Sequence, residues 1–322
     1  MAKRLVLAAP FGRLQLDAYD PAHPGPTQIQ VKVLATSLNH LDWKRIKKSL
    51  FIPCFPHVLG MDIVGHVVDP GESQRLQEGD LIVSIGTVGL VMNGKINSEI
   101  PVLGLSTLPF SLCTAACGLY LGLGLAKVTD RRNVASTHVL IWVSANGGVG
   151  KLAVQLAKIS GYSVVAVTSS NETTAQGQAR GADYAFARSD PDLITKIKSI
   201  APDLRLGFDT VVTEETISQI VDCCQKPATV ATAIKYTGAA IDGVHLNSVY
   251  SGEIMGKTMA DQASATGVEL SRWLWGGLDK WLGNGQITPL ELEALNGLQE
   301  VQEGLDRLEN GTVHKKLVTY VT

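Results

Sequence analysis

Ser144-Ala145-Asn146-Gly147-Gly148-Val149-Gly150 is the stretch of this 322-residue chain whose residue types and spacing speak most directly of chemistry. A continuous apolar run, Val139-Leu140-Ile141-Trp142-Val143, comes before it. After it, Val149, Leu152, Ala153, Leu156 and Ala157 share one helical stripe, with Lys151, Gln155 and Lys158 mostly off that stripe. Strand, glycine turn and helix together make a phosphate site, because glycine lets the backbone turn sharply and approach closely, and the free amides and positive dipole end of the helix favour an anion. Asn146, Gly147, Gly148, Val149 and Gly150 are therefore candidates to hold a dinucleotide's pyrophosphate, against the plainer alternative of a tight turn with no ligand.

Which dinucleotide depends on the end of the next strand, Ser163 to Thr168, where an acidic residue about 20 positions on would bind an adenosine ribose diol. Ser169-Ser170-Asn171 stands there instead. Small hydroxyl side chains leave room for a 2′-phosphate and offer donors, which favours NADP. Glu172 supports the competing reading: turned inward it would take the diol, whereas in a first helical turn it would serve the dipole.

The elements that must position this turn follow from the pattern. The first hundred residues read as short strands between Gly/Pro breaks, Arg4 to Ala9, Gln28 to Ala35, Leu59 to Val68 and Asp80 to Ile85, with the proline-rich 21–26 stretch as a loop. From Ser136 strand and helix alternate: Ser163 to Thr168, a helix Glu172 to Ala179, Tyr184 to Ala187, a helix Asp192 to Ile200, then Phe208 to Val212, Ile217 to Cys224, Thr229 to Ile234 and His245 to Tyr250. Such alternation is an α/β pattern with a doubly wound parallel sheet. Val268 to Leu282 reads as a packing helix in which Gly276-Gly277 marks a potential break, and the tail is a helix followed by a strand, Lys316 to Val321.

Composition narrows the function classes. With 28 Lys+Arg against 30 Asp+Glu, a net charge of −2 and no block of like charge, nothing marks the chain for nucleic acid or an anionic membrane. Five cysteines without paired CxxC motifs make neither a disulfide framework nor a structural zinc site. Residues 100–126 carry no charge and are long enough to span a bilayer, but their prolines, glycines, serines and threonines point to a buried strand plus helix. The expectation is a soluble, cytoplasmic protein. A hydrolase reading lacks a GxSxG elbow.

Several motifs in order resemble the medium-chain dehydrogenase/reductase superfamily, and more narrowly its zinc-independent quinone oxidoreductases and fungal trans-acting enoyl reductases. They are Ser37-Leu38-Asn39-His40-Leu41-Asp42-Trp43-Lys44, Leu59-Gly60-Met61-Asp62-Ile63-Val64-Gly65, Glu78-Gly79-Asp80, Leu108-Pro109 before Thr114-Ala115-Ala116, the glycine turn through Gln155-Leu156-Ala157-Lys158, Gly181-Ala182-Asp183 and Lys315-Lys316-Leu317-Val318. The resemblance implies a GroES-like β-rich catalytic domain from both chain ends, residues 1–112 and 285–322, with a Rossmann domain, 113–284, inserted between them. It further implies a reductase that uses NADPH on an activated C=C, acting on a small or thioester-bound substrate, with a polyketide synthase as a candidate partner.

By the same resemblance Asn39 and Met61 stand where zinc relatives carry Cys and His ligands, and neither side chain suits zinc, so no catalytic zinc is expected. Asn39 and Asp42 would line the floor near the nicotinamide. Lys44 has two readings, a residue at the substrate mouth that orients a carboxylate or phosphopantetheine or gives a proton, and a solvated lysine in a basic run. Ser170 falls at the family's 2′-phosphate serine, with Ser169 a further candidate beside it. The family's basic partner there is replaced by Gln178 and its tyrosine by Arg188, so Arg188, or Arg180, would have to supply the charge. Tyr120 and Tyr250 are further proton-donor candidates. The region from Ile85 to Leu108 is shorter than in relatives. An isomerase, a cyclase or a binding protein on the same fold, or a quinone or aldehyde reductase, are the alternatives.

Overall fold

Apolar residues at alternating positions, with Gly or Pro at the breaks, make short strands the recurring element of the first hundred residues. In the computed structural model, which describes residues 1–26, 28–87, 90–96, 99–130, 133–143, 147–169 and 171–321, these are β1 (Ala2–Leu7), β2 (Leu14–Tyr19) and β3 (Gln30–Ser37). After helix α1 (His40–Lys48) come β4 (His57–Val58), β5 (Asp62–Asp69), β6 (Leu81–Thr87) and β7 (Leu90–Lys95). The helix α1 corrects the expectation of strands alone. Its start is local chemistry: the backbone N–H of Asn39 donates to Asp42 Oδ2 at 2.8 Å, three residues on, as in one half of a capping box.

The uncharged stretch holds helices joined by a turn and no strand, not strand plus helix: α2 (Val102–Leu105), α3 (Pro109–Ala116) and a wider π-helical continuation, Cys117–Gly122. An apolar run without alternation carries no period to separate the two. It is long and apolar enough to cross a membrane, yet 83% of its most apolar window is buried inside the protein.

The central segment then alternates β8 (His138–Trp142), α4 (Gly148–Ile159), β9 (Ser163–Thr168), α5 (Asn171–Ala179), β10 (Tyr184–Ala187), α6 (Leu193–Ile200), β11 (Leu206–Asp209), α7 (Glu214–Cys223), β12 (Ala228–Thr232) and β13 (Val244–Ser248). Its strands lie parallel in the order β10-β9-β8-β11-β12-β13. Strand order reverses between β8 and β11, the switch point at whose carboxyl edge α/β sheets bind ligands. Leu140, Trp142, Val165, Val167 and Val230 are buried on one side with the apolar faces of α6 and α7. Next, α8 (Ala265–Gly283) runs unbroken through Gly276-Gly277, its buried Leu270, Leu274, Leu278 and Trp281 outweighing the weak propensity of glycine.

The tail supplies β14 (Leu292–Leu295), α9 (Val301–Glu309) and β15 (Lys316–Tyr320). β15 pairs antiparallel with β3, Val318 opposite Ser37, inside a sheet ordered β14-β15-β3-β5-β6-β7, while β2-β1-β4 form a separate small sheet. The chain divides into two units. One contains Met1–Phe110, Trp275–Gly283 and Pro289–Thr322, and the other Ser111–Leu274 and Asn284–Thr288. Both chain ends thus build the β-rich unit, and the register of β15 on β3 sets Lys316 beside the residues that follow Ser37.

Candidate active site

In the parallel-sheet unit the switch-point edge is built from backbone. Gly147 is the extended N-cap (φ −88°, ψ 132°) of the twelve-residue α4, so its first amides are the unpaired donors of a helix start. Gly150 in the first turn is buried, and a Cβ there would come within 2.9 Å of Val143 Cα and 3.1 Å of Thr210 Oγ1. Only glycine lets α4 lie this close to the end of β8. The same edge carries a turn at 210–212, where the expectation was continued strand. Asp209 ends β11 buried, and its Oδ1 accepts the backbone N–H of Val211 at 2.8 Å and Val212 at 3.0 Å while Thr216 Oγ1 donates to Oδ2 at 2.5 Å. Burial raises the Asp209 pKa, and the hydrogen bonds from Thr216, Val211 and Val212 oppose that rise. The turn puts Val212, a β-branched residue, at φ 64°, a strained conformation of the kind found at ligand sites. Thr210 Oγ1 donates to the Trp142 carbonyl at 2.7 Å, tying this turn to the strand that leads into the glycines.

The β-rich unit builds its polar centre from side chains on three separated stretches. Asn39 Nδ2 donates to Asp62 Oδ2 at 2.7 Å, and Lys316 Nζ donates to Asn39 Oδ1 at 2.5 Å and lies 3.5 Å from Asp62 Oδ2. Asp62 also accepts from the Ser37 hydroxyl and, at 2.6 Å, from the Phe110 backbone N–H. Side-chain exposure is 10% for Lys316 and zero for Asp62, so this is a buried ion pair with its carboxylate well supplied with donors. The carboxamide of Asn39 is thereby fixed in orientation, oxygen towards the ammonium and nitrogen towards the carboxylate. Asp42 is 3% exposed and its Oδ1 has no hydrogen-bond partner. Burial pushes its pKa up to about 6; the Asn39 N–H lowers it, Asp62 raises it, and Lys316 and Arg45 lower it.

The chain has relatives of known class. The protein-family model described as "Alcohol dehydrogenase GroES-like domain" matches residues 25–124, and that described as "Zinc-binding dehydrogenase" matches 148–254. A trans-enoyl reductase of Gibberella fujikuroi is 28% identical over 334 residues, covering 92% of each chain. The trans-enoyl reductase himH of Aspergillus japonicus is 25% identical over 328 residues, covering 92% of this chain and 90% of its own. The Escherichia coli quinone oxidoreductase, solved in complex with NADPH, has the same fold at 20% identity, with a TM-score of 0.73 over 99% of this chain and 100% of its own. The chain belongs to the medium-chain dehydrogenase/reductase superfamily.

As a member of that oxidoreductase superfamily it has an α/β architecture with a GroES-like unit and a Rossmann-type sheet. Of the residues singled out in sequence, Asn39 and Asp42 come together at the start of α1, and Gly147, Gly148, Val149 and Gly150 open α4. Ser144, Ala145, Asn146 and Ser170 lie outside the described residues. Ser169 is half-buried directly after β9, and Arg188 directly after β10 is exposed, its N–H donating to the Thr168 carbonyl at 2.7 Å. Lys44 is half-buried with its ammonium 5.5 Å from the Trp43 ring centre, and burial followed by Lys48 lowers its pKa. Tyr120 is turned inward, its hydroxyl donating to the Leu156 carbonyl at 3.1 Å and 2.7 Å from Ser160 Oγ, while burial raises its pKa. Sequence reasoning missed Asp62 and Lys316 as polar centres and the Asp209 turn altogether. An Asp ahead of Thr213-x-x-Thr216, which makes a helix cap, was the available signal for the turn.

Proposed function

We propose that this protein is a zinc-independent, NADPH-dependent reductase that saturates an activated C=C of the enoyl or enone type, with a thioester-bound substrate from polyketide-like biosynthesis in the cytoplasm. The observation that carries the reading is the start of α4, a run of amides with no partner within the helix at the switch point of a parallel sheet, packed so closely at Gly150 that no side chain can replace the hydrogen. Those amides suit a pyrophosphate; Ser169 directly follows β9, Arg188 follows β10 with its N–H on the Thr168 carbonyl at the end of β9, and these two, with Ser170 next to Ser169 in sequence, suit a 2′-phosphate. When bound, the dinucleotide supplies the hydride.

The residues of the polar centre do not suit a catalytic zinc. Asn39 Oδ1 already accepts from an ammonium at 2.5 Å, and a dication beside Lys316 would be repelled. Without a Lewis acid to polarise an alcohol, a substrate that stabilises its own enolate is the better match, which favours the enoyl or enone over alcohol oxidation. Lys316, its charge matched by Asp62, still has ammonium hydrogens to offer a substrate's carbonyl oxygen, and the Asn39 carboxamide holds that ammonium in place. The trans-enoyl reductase names of the full-length relatives support the same choice.

Incubation with NADPH and an α,β-unsaturated thioester tests the reading. Loss of NADPH absorbance in step with saturated product is expected. Product that forms without nicotinamide consumption would make the protein an isomerase or cyclase instead, and turnover of quinones or aldehydes but not of enoyl thioesters would move it to those reductases.

A further inference from the structure

The β-rich unit does not fill its own interior. A cavity of ≈ 380 Å³ is walled by the small sheet at Leu5 and Leu14, by the larger sheet at Val31, Val33 and Ile82, and by α9 at Leu305. Its wall draws on two separate apolar clusters: Leu5, Leu14 and Leu305 pack with Leu7 and Leu38, whereas Val31 and Ile82 pack with Val67 and Leu76. A protein interior is ordinarily as dense as an organic crystal, and a void of this size forfeits dispersion contacts along its whole wall. The volume falls within the range of small-molecule sites, about 300–1,000 Å³. Aliphatic walls hold water poorly. Lys3, which is exposed, also lines the cavity, so the space reaches solvent.

Several polar side chains of the wall are already engaged. Thr36 Oγ1 donates to the Asp62 carbonyl at 2.7 Å, the Ser37 hydroxyl donates to the Asp62 carboxylate, and Arg4 holds Asp17 Oδ2 from Nε at 3.0 Å and Nη2 at 2.9 Å. Asp42, which lines the same space, is different. Its Oδ2 accepts the Asn39 N–H at 2.8 Å, while Oδ1 is buried without a partner. A buried acceptor left unpaired is unfavourable, and what it lacks is a donor. The surroundings restrict which donor fits. An ammonium would have to shed its water against an aliphatic wall and pass the basic Lys3 and Arg4, and a carboxylate would meet Asp42. A hydroxyl brings the donor without either cost.

We propose that this cavity binds a neutral, mostly apolar molecule with a single hydroxyl, an alkylphenol or a medium-chain alcohol, whose O–H donates to Asp42 Oδ1. The site needs neither coenzyme nor turnover, and it stands or falls apart from the reductase reading. The apolar body joins the two clusters and supplies the contacts that the empty space lacks, and the hydroxyl fixes its orientation.

Calorimetry and thermal unfolding of the full chain with 4-propylphenol, 4-propylanisole, propylbenzene and 4-propylbenzoate test the site. The expected result is saturable one-site binding of the phenol with a raised Tm, at least tenfold weaker binding of the anisole and of propylbenzene, and none of the benzoate. Val31→Phe fills the space from a strand position that accepts aromatics, and should abolish binding with the fold kept by circular dichroism. Leu14→Phe does the same from the opposite sheet and replaces it if Val31→Phe fails to fold. In Asp42→Asn the Asn39 N–H retains the carboxamide oxygen, so an NH2 group takes the place of Oδ1, and the advantage of the phenol over the anisole should fall below twofold. No binding of the phenol by wild type leaves water as the partner of Oδ1 and overturns the proposal. Equal binding of phenol and anisole by wild type, or undiminished binding by a folded cavity-filled variant, also overturns it. Displacement of the phenol by an enoyl thioester would assign the space to the substrate cleft and overturn a separate site.

Discussion

The polar centre of the β-rich unit and the switch-point edge of the parallel sheet solve opposite problems. One gathers side chains from 37–42, Asp62 and Lys316, stretches far apart in sequence, into a buried ion pair. The other spends almost no side chains, and relies on glycines, a helix start and the carboxylate of Asp209 holding two backbone amides. Side-chain centres can be tuned residue by residue and are sensitive to charge and pH. Backbone sites depend on close approach, and fail through bulk.

The largest separation between the two should come from Lys316→Met. It leaves the carboxylate of Asp62 buried without its cation, a loss of about 3–5 kcal/mol of stability in denaturant titration, with turnover reduced at least tenfold and NADPH affinity within twofold of wild type. If NADPH affinity fell as far as turnover, the two regions would not be independent.

Protonation gives a second contrast. Burial raises the Asp42 pKa to about 6, well above the usual carboxylate range. Its folded form therefore holds a proton that the unfolded chain gives up, so between about pH 4 and 6 this residue makes the protein less stable as pH rises, by up to about 3 kcal/mol. Asp80, Asp183 and Asp190, with lowered pKa, act the other way, losing stability as pH falls. Urea unfolding of wild type and Asp42→Asn at pH 4 and pH 6.5 isolates the residue, and the variant should gain relative to wild type at the higher pH.

Changes that alter coenzyme selectivity alone have smaller effects. Ser170→Asp should weaken NADPH at least tenfold with little change for NADH, and Arg188→Ala should weaken NADPH a few-fold, both read by fluorescence titration. Equal affinity for both coenzymes in wild type, unchanged in either variant, would remove the preference for NADP. Smallest of all, Val212→Gly relieves left-handed strain and should raise stability by about 1 kcal/mol in thermal unfolding.

These two regions also differ in how far sequence alone revealed them. The glycine turn lies within seven consecutive residues, flanked by an apolar run and an amphipathic helix, so local pattern sufficed; β9 and β10 fall at the residues expected of them. The polar centre depends on β15 pairing with β3, a contact across nearly the whole chain that periodicity does not encode. Asn39 and Asp42 were reached through family resemblance, but their partners Asp62 and Lys316 stood unremarked inside the motifs quoted for it. Residues 36–58 carry no strand expectation and only nine of them form α1, too short for a helical period to stand out; its start rests on the Asn39–Asp42 pair. The uncharged 102–122 helices offer no alternation to read, and the turn after Asp209 reads as strand in the sequence because Val211 and Val212 are good strand formers whose geometry a carboxylate overrides.

The most direct single measurement is a titration of NADPH into wild type and Gly150→Val, with circular dichroism as the control for folding. The expected result is saturable micromolar binding by wild type and a loss of at least a hundredfold in the variant, because the added side chain would strike Val143 and Thr210 and push the amides of α4 away from the pyrophosphate. No binding by wild type, or equal binding by a folded Gly150→Val, would contradict the dinucleotide site on which the reductase assignment stands.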